Sequence, residues 1–488
     1  ADLDEAVKLD PDNLTARKLR LSARFYVKDF EGIIADYQEL AARGTSEDYM
    51  LGNYLHAKMQ MCDWDELSTT WIEIENRLKN GEAALTPFSM ISYNESAELA
   101  LISSQIYAQK AFKEQTDIDK IYPYPEKERI RIGYFSADFY DHATMHLMAG
   151  LFEHHDKTKF ETYAFSFGPQ LKDKMRQRAI DAFDHFIDAS EMTDKTIALV
   201  SRHFEIDIAI DLKGYTSHSR PNIFAYRAAP VQVNYLGFPG TMGAEFIDYI
   251  IADPIVIPEQ LQKFYSEKVL LVPPSYQVND IRRERHDTLV NRADFGLPED
   301  AFIFCSFNNN YKITPEMFDI WCDLLVSVPK SIIWMLSDNK SAETNLKNHA
   351  RVRGIDPARL IFAPRVAINV HLSRHRLADL FLDTYPCNAH TTASDALFMG
   401  LPIVTRIGET FASRVAASLL TAAGLPELIA TSPRKYKEIA LHLARNPDEI
   451  ARMRTGLLDG IRDTQLYDTA TFTKNFESLL EQIVRRPE

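Results

Sequence analysis

Leu382-Asp383-Thr384-Tyr385-Pro386-Cys387-Asn388-Ala389-His390-Thr391-Thr392-Ala393-Ser394-Asp395-Ala396-Leu397 reads as a strand end, a loop and a helix start. The apolar run entering it, Leu380–Asp383, predicts a buried strand. Thr391 and Thr392 stand where the helix begins, so unpaired N–H groups and hydroxyls are open to a diphosphate there. Asp395, one helical turn on, is within reach of a ribose hydroxyl. Ordinary N-capping by Thr or Ser is the alternative reading.

The same strand–loop–helix grammar repeats in both directions. Around this stretch lie Phe302–Phe307, Ser331–Leu336, Leu360–Ala363, Pro402–Thr405 and Leu428–Ala430, and the end from Pro433 to Glu488 reads as helical. An earlier set comprises Ile130–Phe135, Thr162–Phe167, Ile206–Leu212, Val231–Leu236, Tyr249–Ala252 and Val269–Val272. Strands alternating with helices predict parallel sheets covered on both faces. The expected class is therefore α/β, with two Rossmann-like lobes whose ligand lies in the cleft beyond the strand ends. A turn-rich stretch, Asp280 to Asp300, separates the two sets.

Before Tyr122-Pro123-Tyr124-Pro125-Glu126-Lys127-Glu128, a proline-marked linker, the pattern is helical. Leu19, Leu21, Phe25, Phe30, Ile33, Ile34, Tyr37 and Leu40 recur at helical spacing. Asp10-Pro11-Asp12-Asn13, after Ala6-Val7-Lys8-Leu9, looks like the seam between two tetratricopeptide (TPR) units, here the end of an array. A plain helical subdomain is the alternative. The expected division is 1–115 helical and TPR-like, 116–290 the first lobe, and 291–488 the second, nucleotide-sugar-binding lobe with terminal helices.

Composition narrows the function. The net charge of −14 disfavours a general nucleic-acid partner. No apolar run reaches the roughly 18 residues of a membrane span. Cys62, Cys305, Cys322 and Cys387 form no CxxC pair, and four thiols in so long a chain suggest a reducing, cytoplasmic setting. The first residues have neither a basic nor an apolar leader pattern, and no initiator Met, which suggests a longer parent chain. Gly-x-Gly-x-x-Gly, Walker A, Gly-x-Ser-x-Gly and His-Glu-x-x-His are all absent, so no metal site is expected.

Three further strand ends carry unusual residues. Ser136-Ala137-Asp138-Phe139-Tyr140-Asp141-His142-Ala143-Thr144-Met145-His146 crowds two His and two Asp into one loop. A carboxylate there can orient an imidazole and raise its pKa for proton transfer; helix capping is the alternative. Gly237-Phe238-Pro239-Gly240-Thr241-Met242-Gly243 either lets backbone approach a ligand or makes a tight turn. Asn308-Asn309-Asn310-Tyr311-Lys312 places a lysine where it can hold a phosphate. His371-Leu372-Ser373-Arg374 lies just upstream of the opening stretch.

On the runs Ser136–Met148, Leu236–Ala244, Phe304–Lys312, Asp383–Asp395 and Gly408–Ser418, the chain resembles the catalytic region of O-linked N-acetylglucosamine transferases and the related SPINDLY proteins. The resemblance covers about Arg131 to Ala430. It implies a GT-B fold preceded by tetratricopeptide repeats. The implied activity is inverting, metal-independent transfer of N-acetylglucosamine from UDP-GlcNAc to Ser or Thr of a protein acceptor. The nucleotide sugar is then a substrate, and no cofactor is implied; a homodimer is one partner arrangement.

Carried over by residue, the resemblance implies that Lys312 neutralises the departing diphosphate, held also by Thr391 and Thr392. Asp395 binds the ribose, His390 the sugar nucleotide, and His371 with Arg374 the nucleotide side. Cys387 lies near the sugar, over a floor of Pro239, Gly240 and Thr241. Asn309 and Tyr311 flank Lys312 on the nucleotide-sugar side. Asp138, His142 and Thr144 match the acceptor-activating group.

The chain departs from the family in three places. Pro87-Phe88-Ser89-Met90 lacks a His that animal members carry, Ile368 replaces a Lys near the base, and Asn309 replaces a Gln. Donors in related branches include GDP-fucose and CMP-nonulosonic acids, the latter on flagellins. A catalytically weak TPR scaffold is the reading from outside the enzyme class.

Overall fold

The computed structural model describes residues 2–113, 118–285 and 288–484. Among these, seven parallel strands form the first sheet: β1 (Ile130–Ser136), β2 (Phe160–Ser166), β3 (His185–Asp188), β4 (Ile208–Asp211), β5 (Val231–Asn234), β6 (Tyr249–Ala252) and β7 (Lys268–Leu271). Six more form the second: β8 (Phe302–Ser306), β9 (Ser331–Leu336), β10 (Leu360–Ala363), β11 (Leu380–Leu382), β12 (Ile403–Arg406) and β13 (Ile429–Ala430). Ile132, Tyr134 and Phe135 of β1, and Ile333 and Trp334 of β9, are fully buried. Each such side chain contributes about 1.5–3 kcal/mol on leaving water, which is why these strands read as near-continuous apolar runs.

Strand order is β3-β2-β1-β4-β5-β6-β7 in the first sheet and β10-β9-β8-β11-β12-β13 in the second. The order reverses between β1 and β4, and again between β8 and β11. Loops leaving either side of a reversal diverge and open a crevice beyond the carboxyl ends of the strands. The register Phe135↔Asp211 brings the loops after β1 and β4 to one place. Phe381↔Cys305 does the same for those after β11 and β8.

Among the described residues, seven helices precede the sheets: α1 (Asp2–Leu9), α2 (Leu14–Val27), α3 (Phe30–Ala42), α4 (Met50–Gln60), α5 (Leu67–Lys79), α6 (Pro87–Met90) and α7 (Ala97–Ala111). The Asp10–Asn13 break falls between α1 and α2, where Asn13 caps α2 by accepting from the Ala16 N–H at 2.9 Å. Leu21, Ile33 and Leu40 form a small core here, whereas Leu19 is 56% exposed. Buried Asp36 gathers Arg17, Arg20 and Arg24 between α2 and α3. The 115/116 division lies outside the described residues.

The first lobe adds α8 (Ala143–His154), α9 (Lys174–Ala182), α10 (Asp194–His203) and α11 (Asn222–Ala225). The second adds α12 (Pro315–Ser327), α13 (Lys340–Val352), α14 (Ile368–Arg374), α15 (Thr391–Phe398), α16 (Val415–Ala422), α17 (Pro433–Arg445), α18 (Pro447–Gly460) and α19 (Thr469–Val484). Helix α19 crosses back onto the first lobe, where Glu477 accepts from the Asp156 N–H at 2.8 Å and lies 2.9 Å from His155 Nδ1. The helical region docks on the second lobe through the corner after α4. Cys62 Sγ meets Asn310 O, Asn339 donates to Gln60 O, and Trp64 stacks on His349 at 4.3 Å.

Several strand expectations need correction: β2 begins two residues before the expected Thr162, β4 lies inside the expected Ile206–Leu212, and β5 ends two residues before Leu236. β3 escapes sequence reading because His185 and Asp188, at its ends, are exposed and break the apolar run. β7 starts one residue before the expected Val269 and ends at Leu271, since Val272 lies past the ladder.

Candidate functional site

Both crevices collect the polar residues singled out in the sequence. In the second lobe, the loop from Asp383 to His390 is built around one carboxylate. Asp383 accepts from the Thr384 and Ala389 N–H groups at 2.8 and 2.6 Å, and from the Thr405 hydroxyl at 2.6 Å. Burial pushes it up to about 6. This wrapping delivers His390 to the start of α15, with Thr391 and Thr392 as the first helical residues.

Lys312 arrives from the other side of the reversal, after β8. Its ammonium donates to Asn388 O at 2.8 Å, two residues before His390. Burial opposes its charge, but Cys387, Tyr311 and Asp383 outweigh that and hold it above the ordinary lysine value. Burial pushes His390 down to about 3, with Lys312 adding to the effect, so its imidazole is neutral. Cys387 is buried, and burial raises its thiol while Lys312 opposes the rise. Lys312 and the α15 N-terminus thus form a compact cationic, N–H-rich corner that can stabilise a phosphate.

The other second-lobe residues divide. The Thr392 hydroxyl donates to Asn308 at 2.9 Å. Asp395 is ion-paired with Arg283 at 2.7 Å and lies 3.6 Å from His371 Nε2. Desolvation opposes its charge, but Arg283 and His371 win and hold Asp395 well below the ordinary carboxylate range. Arg374 lies behind His371, 2.6 Å from its Nδ1 and 4.2 Å from the Phe307 ring centroid, and is fully buried, so it props His371. Asn309 accepts from Arg365 at 3.1 Å. Tyr311 turns away, with its ring 5.5 Å from His56 of α4.

In the first lobe His142 is the N-cap of α8, and the Thr144 N–H donates to its Nδ1 at 3.3 Å. Asp138 Oδ2 lies 3.6 Å from that nitrogen, but its close partner is the Lys213 ammonium at 2.6 Å. The expected rise in the imidazole's pKa is reversed. Burial lowers it, and Lys213 offsets part of the Asp138 effect. Asp141 pairs separately with His146 at 2.7 Å.

Between the lobes a narrow cavity is bounded by Pro239, Gly240 and Thr241, by Phe411 and Ala412, and by Met90 of α6. His390 Nε2 faces Ala412 O at 3.4 Å, so the cavity borders the Lys312 corner. The Thr241 hydroxyl donates to buried Glu267 at 2.6 Å, which anchors the floor. Gly237 is required because a Cβ there would lie 2.1 Å from Leu212 O.

Sequence reasoning missed Lys213 and Arg283, and it quoted Asp383 and Asn308 without giving either a role. Lys213 stands just past a strand end, as Lys312 does, so that signal was available. Arg283 lies in the connector between the lobes and carries no local signal. Among the described residues no group of three or more His, Cys, Asp or Glu is placed to hold a metal ion, and no helix is long and apolar enough to cross a membrane.

Two lobes with facing crevices, one cationic and N–H-rich, define an architecture of the GT-B type. The pattern of glycosyl transferase family 41 matches residues 91–289 and 282–476, and the chain belongs to that family, with the O-linked N-acetylglucosamine transferase and SPINDLY proteins. It is 36% identical over 445 residues to a probable UDP-N-acetylglucosamine–peptide N-acetylglucosaminyltransferase, SEC, of Arabidopsis thaliana, covering 87% of this chain and 45% of that one. A Caenorhabditis elegans UDP-N-acetylglucosamine–peptide N-acetylglucosaminyltransferase is 30% identical over 474 residues, covering 74% and 41%. The chain thus spans less than half the length of these curated relatives. Its fold matches a lysine-to-methionine mutant of Thermobaculum terrenum O-GlcNAc transferase with a TM-score of 0.79 at 24% identity, over 99% of this chain and 93% of that one.

Proposed function

We propose that the chain transfers N-acetylglucosamine from UDP-N-acetylglucosamine to Ser or Thr hydroxyls of protein acceptors, with inversion and without a metal. The observation that carries this reading is the Lys312 ammonium held on Asn388 O beside the N-terminus of α15. The acceptor oxygen attacks C1 of the sugar as the bond from C1 to the diphosphate oxygen breaks. Negative charge then grows on the departing diphosphate, where Lys312, the first N–H groups of α15 and the Thr391 hydroxyl receive it. Such groups stabilise the transition state more than the ground state. Asp395 and His371 hold the ribose. Apolar Met90, Pro239 and Phe411 suit the methyl of an N-acetyl group.

Proton removal falls to the first lobe. The Thr144 N–H donates to His142 Nδ1, so the neutral imidazole carries its own proton on Nε2. His142 then donates to the acceptor oxygen and orients it. The acceptor's proton passes to the Asp138 carboxylate, directly or through one water.

The test is to incubate the chain with sugar-labelled UDP-N-acetylglucosamine and Ser- and Thr-containing proteins, with and without a chelator. Label on Ser or Thr, β-linked and unaffected by chelation, supports the reading. An α-linked product, or loss of transfer on chelation, overturns the inverting or the metal-free part.

A further inference from the structure

The proposed reaction gives Asp138 a role but not the cation bound to it. Lys213 follows β4, across the reversal from β1. Its Nζ lies 2.6 Å from Asp138 Oδ2, and both side chains are only 6% exposed. The two residues are 75 positions apart, and the β1–β4 register makes them neighbours. The Lys213 backbone is pinned at both ends of its peptide. Its N–H donates to Asp211 Oδ1 at 2.8 Å, and its C=O accepts from the Thr216 hydroxyl at 2.8 Å. The ammonium therefore has a fixed origin and is aimed at Asp138. His142, 40% exposed, has its Nδ1 3.6 Å from the same Asp138 oxygen.

Other charged groups nearby have partners or positions of their own. Asp211 is buried beneath Lys213, with Oδ2 lacking a hydrogen-bond partner. Tyr140, Asp141 and His146 come from the Asp138 segment itself, with Asp141 bound to His146. Asp173, before α9, accepts from the Asp141 N–H at 3.0 Å. Among these, Lys213 is the cation that touches the Asp138 carboxylate.

We propose that Lys213 is a positioning residue for acceptor activation: it clamps Asp138 Oδ2 and so fixes the direction in which the second carboxylate oxygen faces the acceptor. This rests on the proposed reaction, in which Asp138 receives the acceptor's proton. Lys213 is held on Asp138 in the first lobe, while Lys312 is held on Asn388 O in the second, so loss of Lys213 acts on the proton-transfer step.

The experiment compares Lys213→Met, Lys213→Arg, Asp138→Asn and the Lys213→Met/Asp138→Asn double variant, each assayed for kcat and donor KM. Lys213→Met loses about 100-fold in kcat. Its donor KM stays within about twofold of the parent. Lys213→Arg restores most of kcat, since a guanidinium also pairs with a carboxylate. In the Asp138→Asn background, Lys213→Met costs little more, as expected of residues acting as one unit.

A parental kcat in Lys213→Met, no rescue in Lys213→Arg, or a fully additive loss in the double variant overturns the proposal. If Lys213→Met does not fold, the kcat of Lys213→Arg and the rate of the double variant, which buries no lone charge, decide. A parent chain that transfers no sugar refutes the reaction itself. A parent that transfers, with Lys213 variants of parental kcat, refutes only the role of Lys213.

Discussion

Replacing Lys312 by Met removes one positive charge and keeps most of the side chain's length. Asn388 O then loses the donor it has at 2.8 Å. A buried carbonyl left without a partner costs about 1–3 kcal/mol of stability, a modest fraction for a chain of this size, so the variant folds. The effect on function is larger. Losing a charged hydrogen bond to the diphosphate, about 1.5–3 kcal/mol, weakens UDP binding by about 10- to 150-fold. Because charge grows on the phosphate as the bond breaks, kcat falls by a further 10²–10³, roughly the cost of one oxyanion donor. His390 stays neutral in the variant, because burial is the larger cause of its low pKa and Lys312 the smaller. The assays are calorimetric UDP titration, single-turnover transfer and a thermal melt as fold control. A folded Lys312→Met variant with kcat near the parent's refutes the leaving-group assignment.

Three other outcomes follow from the same geometry. His142→Ala lowers kcat by about 10²-fold with donor KM unchanged, and an equal rate assigns acceptor orientation elsewhere. Arg283→Met leaves Asp395 buried without its 2.7 Å partner, which costs about 3–5 kcal/mol and weakens UDP binding; an unchanged denaturation midpoint contradicts the pairing. Burial holds His375 at about 3, below the ordinary value near 6.5. As pH falls below about 6.5 the unfolded chain takes up a proton that the folded chain refuses, so this stabilisation is complete above that pH and lost progressively toward 3. His375→Gln therefore flattens the fall in unfolding free energy between pH 6 and pH 5 by about 1.4 kcal/mol per pH unit, read by denaturant titration.

The layout was legible because each central strand is an apolar run ended by polar or small residues, as Phe302–Phe307 before Asn308 and Leu380–Leu382 before Asp383. Strand β3 was not, since an edge strand such as His185–Asp188 buries too little to need such a run. The second-lobe loop was readable from its density of Asn, His and Thr. The partners of those residues were not. Asp395 looks free in sequence, yet Arg283, 112 positions earlier, pairs with it. Arg374 resembles a surface residue but is fully buried behind His371. The direction of the His142 shift is misread from sequence because burial, its largest cause, is a property of the fold. Asp138 is visible beside it, while Lys213, which holds that carboxylate, arrives only through the β1–β4 register. Spacing along the chain identifies groups within one loop; ion pairs across a sheet reversal need the topology.

The most direct measurement is calorimetric titration of the parent chain with UDP, GDP and CMP at equal concentration, repeated on Lys312→Met. The account predicts that UDP binds most tightly and that Lys312→Met loses most of that affinity. Preference for GDP or CMP keeps the cleft but contradicts the UDP-sugar donor, and binding of none of the three contradicts nucleotide-sugar transfer itself.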